Sequence, residues 1–222
     1  MQKFSFKYYY LSIILSFILF NCQAQWTQLI SGTSMSLYDI HFPSHQFGYA
    51  VGALGTIIKS SDNGYSWSAL NINTTLHLRS VFFTDDQTGF VIDGVQLFKT
   101  TDGGTNWTTV TLPQLVTLHH IEFISSQIGF CTANNGYIFK TIDGGNTWLL
   151  KTLPTGFGII DISFPSIDTG YAVRNVSGLE YFMTVDGGDT WTSVPINGSG
   201  FTSGEIRSVH FTDNNTGFLS GF

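Results

Sequence analysis

SSDNGYSW (Ser60–Trp67), TTDGGTNW (Thr100–Trp107), TIDGGNTW (Thr141–Trp148) and TVDGGDTW (Thr184–Trp191) are four versions of one short segment. Counting from Trp26, successive tryptophans stand 41, 40, 41 and 43 residues apart. A second marker keeps the same period, because Gly48, Gly89, Gly129, Gly170 and Gly217 each precede an aromatic residue. Two independent markers in step establish an internal repeat, and a period of this length denotes a solenoid, a propeller or another array.

Within each unit the patterning has period two, which predicts short strands. In the first, Ile40 and Phe42 alternate with Asp39 and His41 in a strand A; GYAVG, GTIIKSS and the segment from Trp67 supply strands B, C and D. Strand A recurs as Val81/Phe83, Ile121/Phe123, Ile162/Phe164 and Val209/Phe211. The prediction is an all-β chain, a β-propeller of four-stranded antiparallel blades. Four blades are complete, at about 37–70, 78–112, 118–153 and 160–196, and part of a fifth covers 206–222. The signature turn lies between strands C and D. There Asp62, Asp102, Asp143 and Asp186 are placed to accept turn N–H groups. Gly64, Gly104, Gly145 and Gly188 supply a positive φ, and Trp67, Trp107, Trp148 and Trp191 anchor the outer strand. Recurrence in every blade disperses the aspartates around a rim, so the turns read as structural and not as a metal or catalytic centre.

These turns resemble the bacterial-neuraminidase repeat, or Asp-box, of sialidases and sortilin-type propellers. The fuller pattern, strand A, then G-Y/F-A-V-G, then G-x-I-x-K-T-x-D-G-G-x-T-W, resembles the photosystem II stability/assembly factor-like propellers from Trp26 to Phe222. That resemblance implies a seven-bladed ring, of which this chain holds the front portion. It also implies an exported scaffold in some relatives, often with a C-terminal sorting domain.

Residues 1–24 read as a secretory signal: Lys3 and Lys7, an apolar run from Leu11 to Phe20, then Cys22-Gln23-Ala24. The run is shorter than the roughly 20 residues of a membrane-spanning helix, so no transmembrane span is expected in the mature chain. A lipidated Cys22 is an alternative. Cleavage after Ala24 leaves seven basic against fifteen acidic residues, a formal charge of −8 that repels nucleic acid. Cys131 then stands alone, without an intrachain disulfide partner, and reads as a small buried residue.

Chain direction puts the A-to-B and Asp-box turns on one face and the D-to-A and B-to-C connections on the other. Variation between blades concentrates on the second face. Entering strand A are Tyr38, Arg79, His119, Ile160 and Arg207, followed by Asp39, Ser80, His120, Asp161 and Ser208. These side chains are expected to crowd the mouth of the central channel. Arg79 and Arg207 suit carboxylate partners; pairing with Asp39 or Asp161 is the bland alternative. Phe157 and Phe201, on D-to-A loops, are candidate exposed contacts. His119 and His120 lack a third ligand at metal-site spacing, and no cofactor is expected.

The functional expectation is a noncatalytic binding or assembly scaffold that recognises a protein or glycan on this face. The alternative is a sialidase-like glycoside hydrolase. Tyr38, Asp39 and Glu205 could serve it, but Arg174 falls out of register with Arg79 and Arg207. An Asp39/Asp161 acid–base pair is a further variant.

Overall fold

The computed structural model describes residues 28–174, 180–196 and 206–221. The leader expected over 1–24, Trp26, Phe201 and Glu205 lie outside the described residues. The strands fall into five antiparallel sheets, each contiguous in sequence. The first blade is β1 (Leu37–His41), β2 (Gly48–Gly52), β3 (Ile57–Ser60) and β4 (Ser68–Ala69). The second is β5 (Ser80–Phe83), β6 (Gly89–Ile92), β7 (Leu97–Thr100) and β8 (Thr108–Val110). The third is β9 (Leu118–Phe123), β10 (Gly129–Ala133), β11 (Tyr137–Thr141) and β12 (Leu149–Thr152). The fourth is β13 (Ile159–Ser163), β14 (Gly170–Arg174), β15 (Glu180–Thr184) and β16 (Thr192–Pro195). The fifth contributes β17 (Ile206–Phe211) and β18 (Gly217–Gly221). Together they form a partial β-propeller. No helix among the described residues is long and apolar enough to cross a membrane.

The core lies between blades. Strand β2 sends Tyr49 and Val51 into one apolar cluster with Leu78, Val81 and Phe83 of the next unit. Phe90 and Ile92 of β6 meet Ile121 and Phe123 in the same way, and Phe130 of β10 meets Ile159 and Ile162. Tyr171 and Val173 of β14 pack on Ile206 and Val209. Alternation along strand B thus divides its side chains between two neighbours, which is why a single blade cannot bury its own faces.

One aromatic contact repeats at every junction. Tyr49 stacks on Phe83 at 3.5 Å, Phe90 on Phe123 at 4.5 Å, Phe130 on Phe164 at 4.2 Å and Tyr171 on Phe211 at 3.5 Å between ring centroids. The Asp-box tryptophan of the later blade meets the strand A phenylalanine edge-on: Trp107 on Phe83, Trp148 on Phe123 and Trp191 on Phe164. The invariant glycine of strand B is part of this packing. Gly89 pairs with Phe83 and Gly129 with Phe123 across the sheet, and a Cβ at Gly89 would sit 2.4 Å from the Phe83 ring. Glycine makes room for the ring, so the two sequence markers describe opposite sides of one contact.

On the outer side of the first blade Ile40 and Phe42 are exposed, at 56% and 40%, whereas their equivalents Val81 and Phe83 are buried. No described sheet packs against that side of β1. Cys131 is fully buried in the cluster with Phe90, and burial pushes its thiol pKa up.

Candidate functional site

The Asp-box turns are closed hydrogen-bond circuits. In the third blade Asp143 accepts from Thr141 Oγ1 at 2.8 Å, from the Thr147 amide at 2.9 Å and from Thr147 Oγ1 at 2.6 Å. Asp62, Asp102 and Asp186 make the equivalent bonds with Ser66, Asn106 and Thr190. Gly64, Gly104, Gly145 and Gly188 all have positive φ, between 75° and 88°. The indoles of Trp67, Trp107 and Trp191 donate to the carbonyls of Gly64, Gly104 and Gly188. Trp148 Nε1 has no partner among the described residues.

The turns of the second, third and fourth blades are also gripped by the preceding blade. Lys59 Nζ donates to Gly103 O at 3.0 Å, Lys99 to Gly144 O at 2.8 Å, and Lys140 pairs with Asp189 at 2.9 Å. The lysine of the strand C pattern K-S/T is therefore a tie between blades, a role its position in the repeat did not reveal.

Hydrogen bonding to the Asp-box carboxylates has a pH consequence. Bonds from Asn106 and Thr147 hold Asp102 and Asp143 at about 2, below the ordinary 3.8. A depressed folded pKa means that the stabilisation is complete above the unfolded pKa and is lost as pH falls through the folded one. The thermal midpoint of the wild type is expected to drop between about 4 and about 2. In Asp143→Asn the slope in that window should be shallower, which melting curves on a pH series would measure. An unchanged slope would contradict the role.

At the start of strand A the structure separates the side chains that the sequence placed together. Leu37 pairs with Gly52 and Asp39 with Val51, so Tyr38 is the extra residue of a β-bulge. His119, Ile160 and Arg207 occupy the same bulged position in their blades. A bulge re-aims its extra residue: Tyr38 and His119 turn to neighbouring loops, and Ile160 packs against the cluster of Tyr171, Val173, Ile206 and Val209. Tyr38 packs edge-on against His77 with centroids 5.9 Å apart. His119 Nε2 meets Asn134 Oδ1 at 2.8 Å, and burial lowers the ring's pKa. Arg79, just ahead of β5, lays its side chain over Gly94, where a Cβ would come within 2.8 Å of Nε. Arg207 is exposed on β17. Phe157, 48% exposed, carries the Arg174 guanidinium 5.3 Å above its ring, and Arg174 pairs with Glu180 at 2.8 Å. None of Tyr38, Arg79, His119, Arg207 and Phe157 lines the central cavity.

The next residue of each strand does turn inward, and these residues form a collar. Asp39 Oδ2 accepts from Ser80 Oγ and the Val81 amide, both at 2.8 Å. Ser80 Oγ in turn contacts His120 Nδ1 at 3.2 Å and the Ile121 amide at 3.4 Å. His120 Nε2 lies 3.6 Å from Asp161 Oδ1. Asp161 Oδ2 accepts from Ser208 Oγ at 2.6 Å and the Val209 amide at 2.9 Å. The reason is backbone accounting. Strand A is the inner edge of every sheet, and the N–H groups on that edge have no ladder partner. The preceding blade supplies the acceptor from a side chain. Neither aspartate bonds Arg79 in the described contacts.

Two residues further along, a second tier repeats the device. His41 Nδ1 accepts from the Phe83 amide at 3.2 Å, and Ser163 Oγ from the Phe211 amide at 3.0 Å. Burial lowers the His41 pKa. Glu122 holds the same place in β9 and accepts from the Phe164 backbone, yet its Oε2 is sealed from solvent with no partner among the described residues. Burial, reinforced by the charge of Asp161, pushes its carboxyl up to about 8. The two tiers enclose a cavity of about 570 Å³. Among the described residues no three His, Cys, Asp or Glu converge as a metal site would require.

A family model described as photosynthesis system II assembly factor YCF48 matches residues 20–148 and 107–199. No curated protein matches the chain. Among solved structures the fold is similar to YCF48 bound to D1 peptide, with a TM-score of 0.66 and 21% identity over 83% of this chain and 59% of that one. It is equally similar to YCF48 from Cyanidioschyzon merolae, with a TM-score of 0.66 and 22% identity over 85% of this chain and 64% of that one. An ancestral GH74 enzyme gives 0.71 at 17% identity, over 88% of this chain and 28% of that one. The chain thus spans less than two thirds of the length of either YCF48 structure.

Proposed function

This chain belongs to the photosynthesis system II assembly factor YCF48 family, and on that premise we propose that it is an exported, noncatalytic scaffold that holds a segment of a partner protein on its D-to-A and B-to-C face. The observation that carries the reading is the contrast between the two faces. One repeats the same closed Asp-box circuit in blade after blade. The other presents Tyr38, Arg79, His119, Ile160 and Arg207 at one repeat position, four kinds of side chain over five blades of a rigid frame. Recognition needs such non-equivalence, and loops on a fixed scaffold provide it. The YCF48 solved with a D1 peptide supports a peptide segment as the ligand. Export rests on the leader-like residues 1–24.

The GH74 relatives in fold keep glycoside hydrolysis as the second reading. Against it, both oxygens of Asp39 and of Asp161 are engaged with backbone amides, their own strand's and the next blade's. Turnover of a fluorogenic glycoside by the full chain would overturn the noncatalytic reading.

The binding test uses the immobilised full chain and envelope extract of its own host. A Tyr38→Ala/Arg79→Ala/Phe157→Ala variant is expected to lose about tenfold or more of the captured partner, since aromatic and arginine anchors dominate interfaces. A Tyr65→Ala/Ile142→Ala control on the Asp-box face should retain it. The opposite order would contradict the assignment of the face.

A further inference from the structure

We propose that Glu122 is a proton-operated latch between the third and fourth blades: the neutral carboxylic acid holds β13 against β9, and loss of its proton loosens that junction. Strand β13 follows directly on the loop that carries Phe157, so the latch sets the rigidity of the frame beneath it.

Glu122 alternates in β9 with Ile121 and Phe123, which belong to the apolar cluster with Phe90, and it accepts from the Phe164 backbone of the next blade. Its Oε2 is sealed, with no hydrogen-bond partner among the described residues. The second-tier acceptors at two other junctions, His41 toward Phe83 and Ser163 toward Phe211, carry no negative charge. Of the strands packed against β9, β13 brings Asp161, whereas β5 and β6 bring no titratable side chain. Cys131 of β10 lies on the Phe90 side. On β9 itself His119 turns to Asn134, and His120 stands between Ser80 and Asp161. Asp39, His41 and His210 complete the titratable lining of the central cavity, which contains no lysine or arginine.

A carboxylate sealed in this way, without a cation in contact, costs far more than the neutral acid, and the charge of Asp161 adds repulsion. The neutral form keeps the Phe164 bond without either cost. When the junction opens, the carboxyl reaches water and ionises in the ordinary range. Closing therefore takes up a proton, and the closed junction weakens as pH rises. Its strength is complete below the ordinary 4.5 and is lost as pH rises through the about 8 to which burial, and then Asp161, raise the group in the closed state.

The experiment compares urea unfolding of the full chain with that of Glu122→Gln, whose amide mimics the neutral acid, at about pH 5.5 and about pH 7.5. The unfolding constant of the wild type should rise relative to the variant by about tenfold per pH unit, the value for one proton. The histidines titrate in both proteins and cancel in the ratio. A ratio that changes by less than about threefold over the whole interval would overturn the proposal. A second measurement needs only the wild type. Amide exchange, corrected for its intrinsic pH dependence, should show protection at Phe164 falling about tenfold or more between about pH 6 and about pH 8, relative to Phe211. The Phe211 amide donates to Ser163, which does not titrate in that range. Equal losses at the two amides, or a loss confined to Phe211, would overturn the latch even where the variant folds poorly.

Discussion

Replacing Phe123 by alanine is expected to destabilise the protein by about 3–5 kcal/mol, the range for removing a buried aromatic ring. Phe123 is 6% exposed and sits where three rings converge. Phe90 of the preceding blade stacks on it, Trp148 of its own Asp-box meets it edge-on, and Phe82 lies 5.9 Å away. The neighbours cannot collapse into the gap, because Gly129 opposite has no side chain to fill it. Phe42→Ala removes the same ring from the same repeat position on the first blade. That ring is 40% exposed, and its loss should cost about 1.5 kcal/mol or less, as for a partly buried group. Urea unfolding of both variants measures the difference. Equal costs would mean that the junctions between blades are not where the stability resides.

Asp39→Ala is the second large effect, about 2–3 kcal/mol, the cost of leaving buried donors to a charged acceptor unmet. Ser80 is 1% exposed, so neither its hydroxyl nor the Val81 amide can turn to water when the carboxylate is gone. Asp39→Asn keeps one acceptor oxygen and should lose half as much or less. Asp161→Ala should cost less than Asp39→Ala, because the Ser208 that it bonds is exposed and solvent replaces the lost bond. Unfolding midpoints give the order, and amide exchange at Val81 gives the cause: protection there should fall in Asp39→Ala and persist in Asp161→Ala. A reversed order would show that the collar does not weld blades in the way described.

The repeat, the four-stranded blades and the Asp-box chemistry were legible because each depends on residues close in sequence. An aspartate, a glycine and a tryptophan within one turn carry their own geometry, and repetition removes chance. The collar was not legible. Whether Asp39 faces an arginine or the amide of Val81 depends on which backbone edge lies beside it, 42 residues along the chain. The bulges were hidden too, since a one-residue slip leaves the alternation of Ile40 and Phe42 intact while turning Tyr38 away from the channel. Glu122 did leave a signal, a carboxylate two residues beyond His120 on the inward face of an apolar strand. Its significance lies in the missing partner, and that only atoms can show.

Where the partner sits is measured most directly by hydrogen–deuterium exchange of the full chain with and without it. The account predicts slowed exchange at the first residues of β1, β9 and β13 and in the D-to-A loop around Phe157. The amides of Ser66, Asn106, Thr147 and Thr190 in the Asp-box turns should be unchanged. Protection confined to those four turns would contradict it.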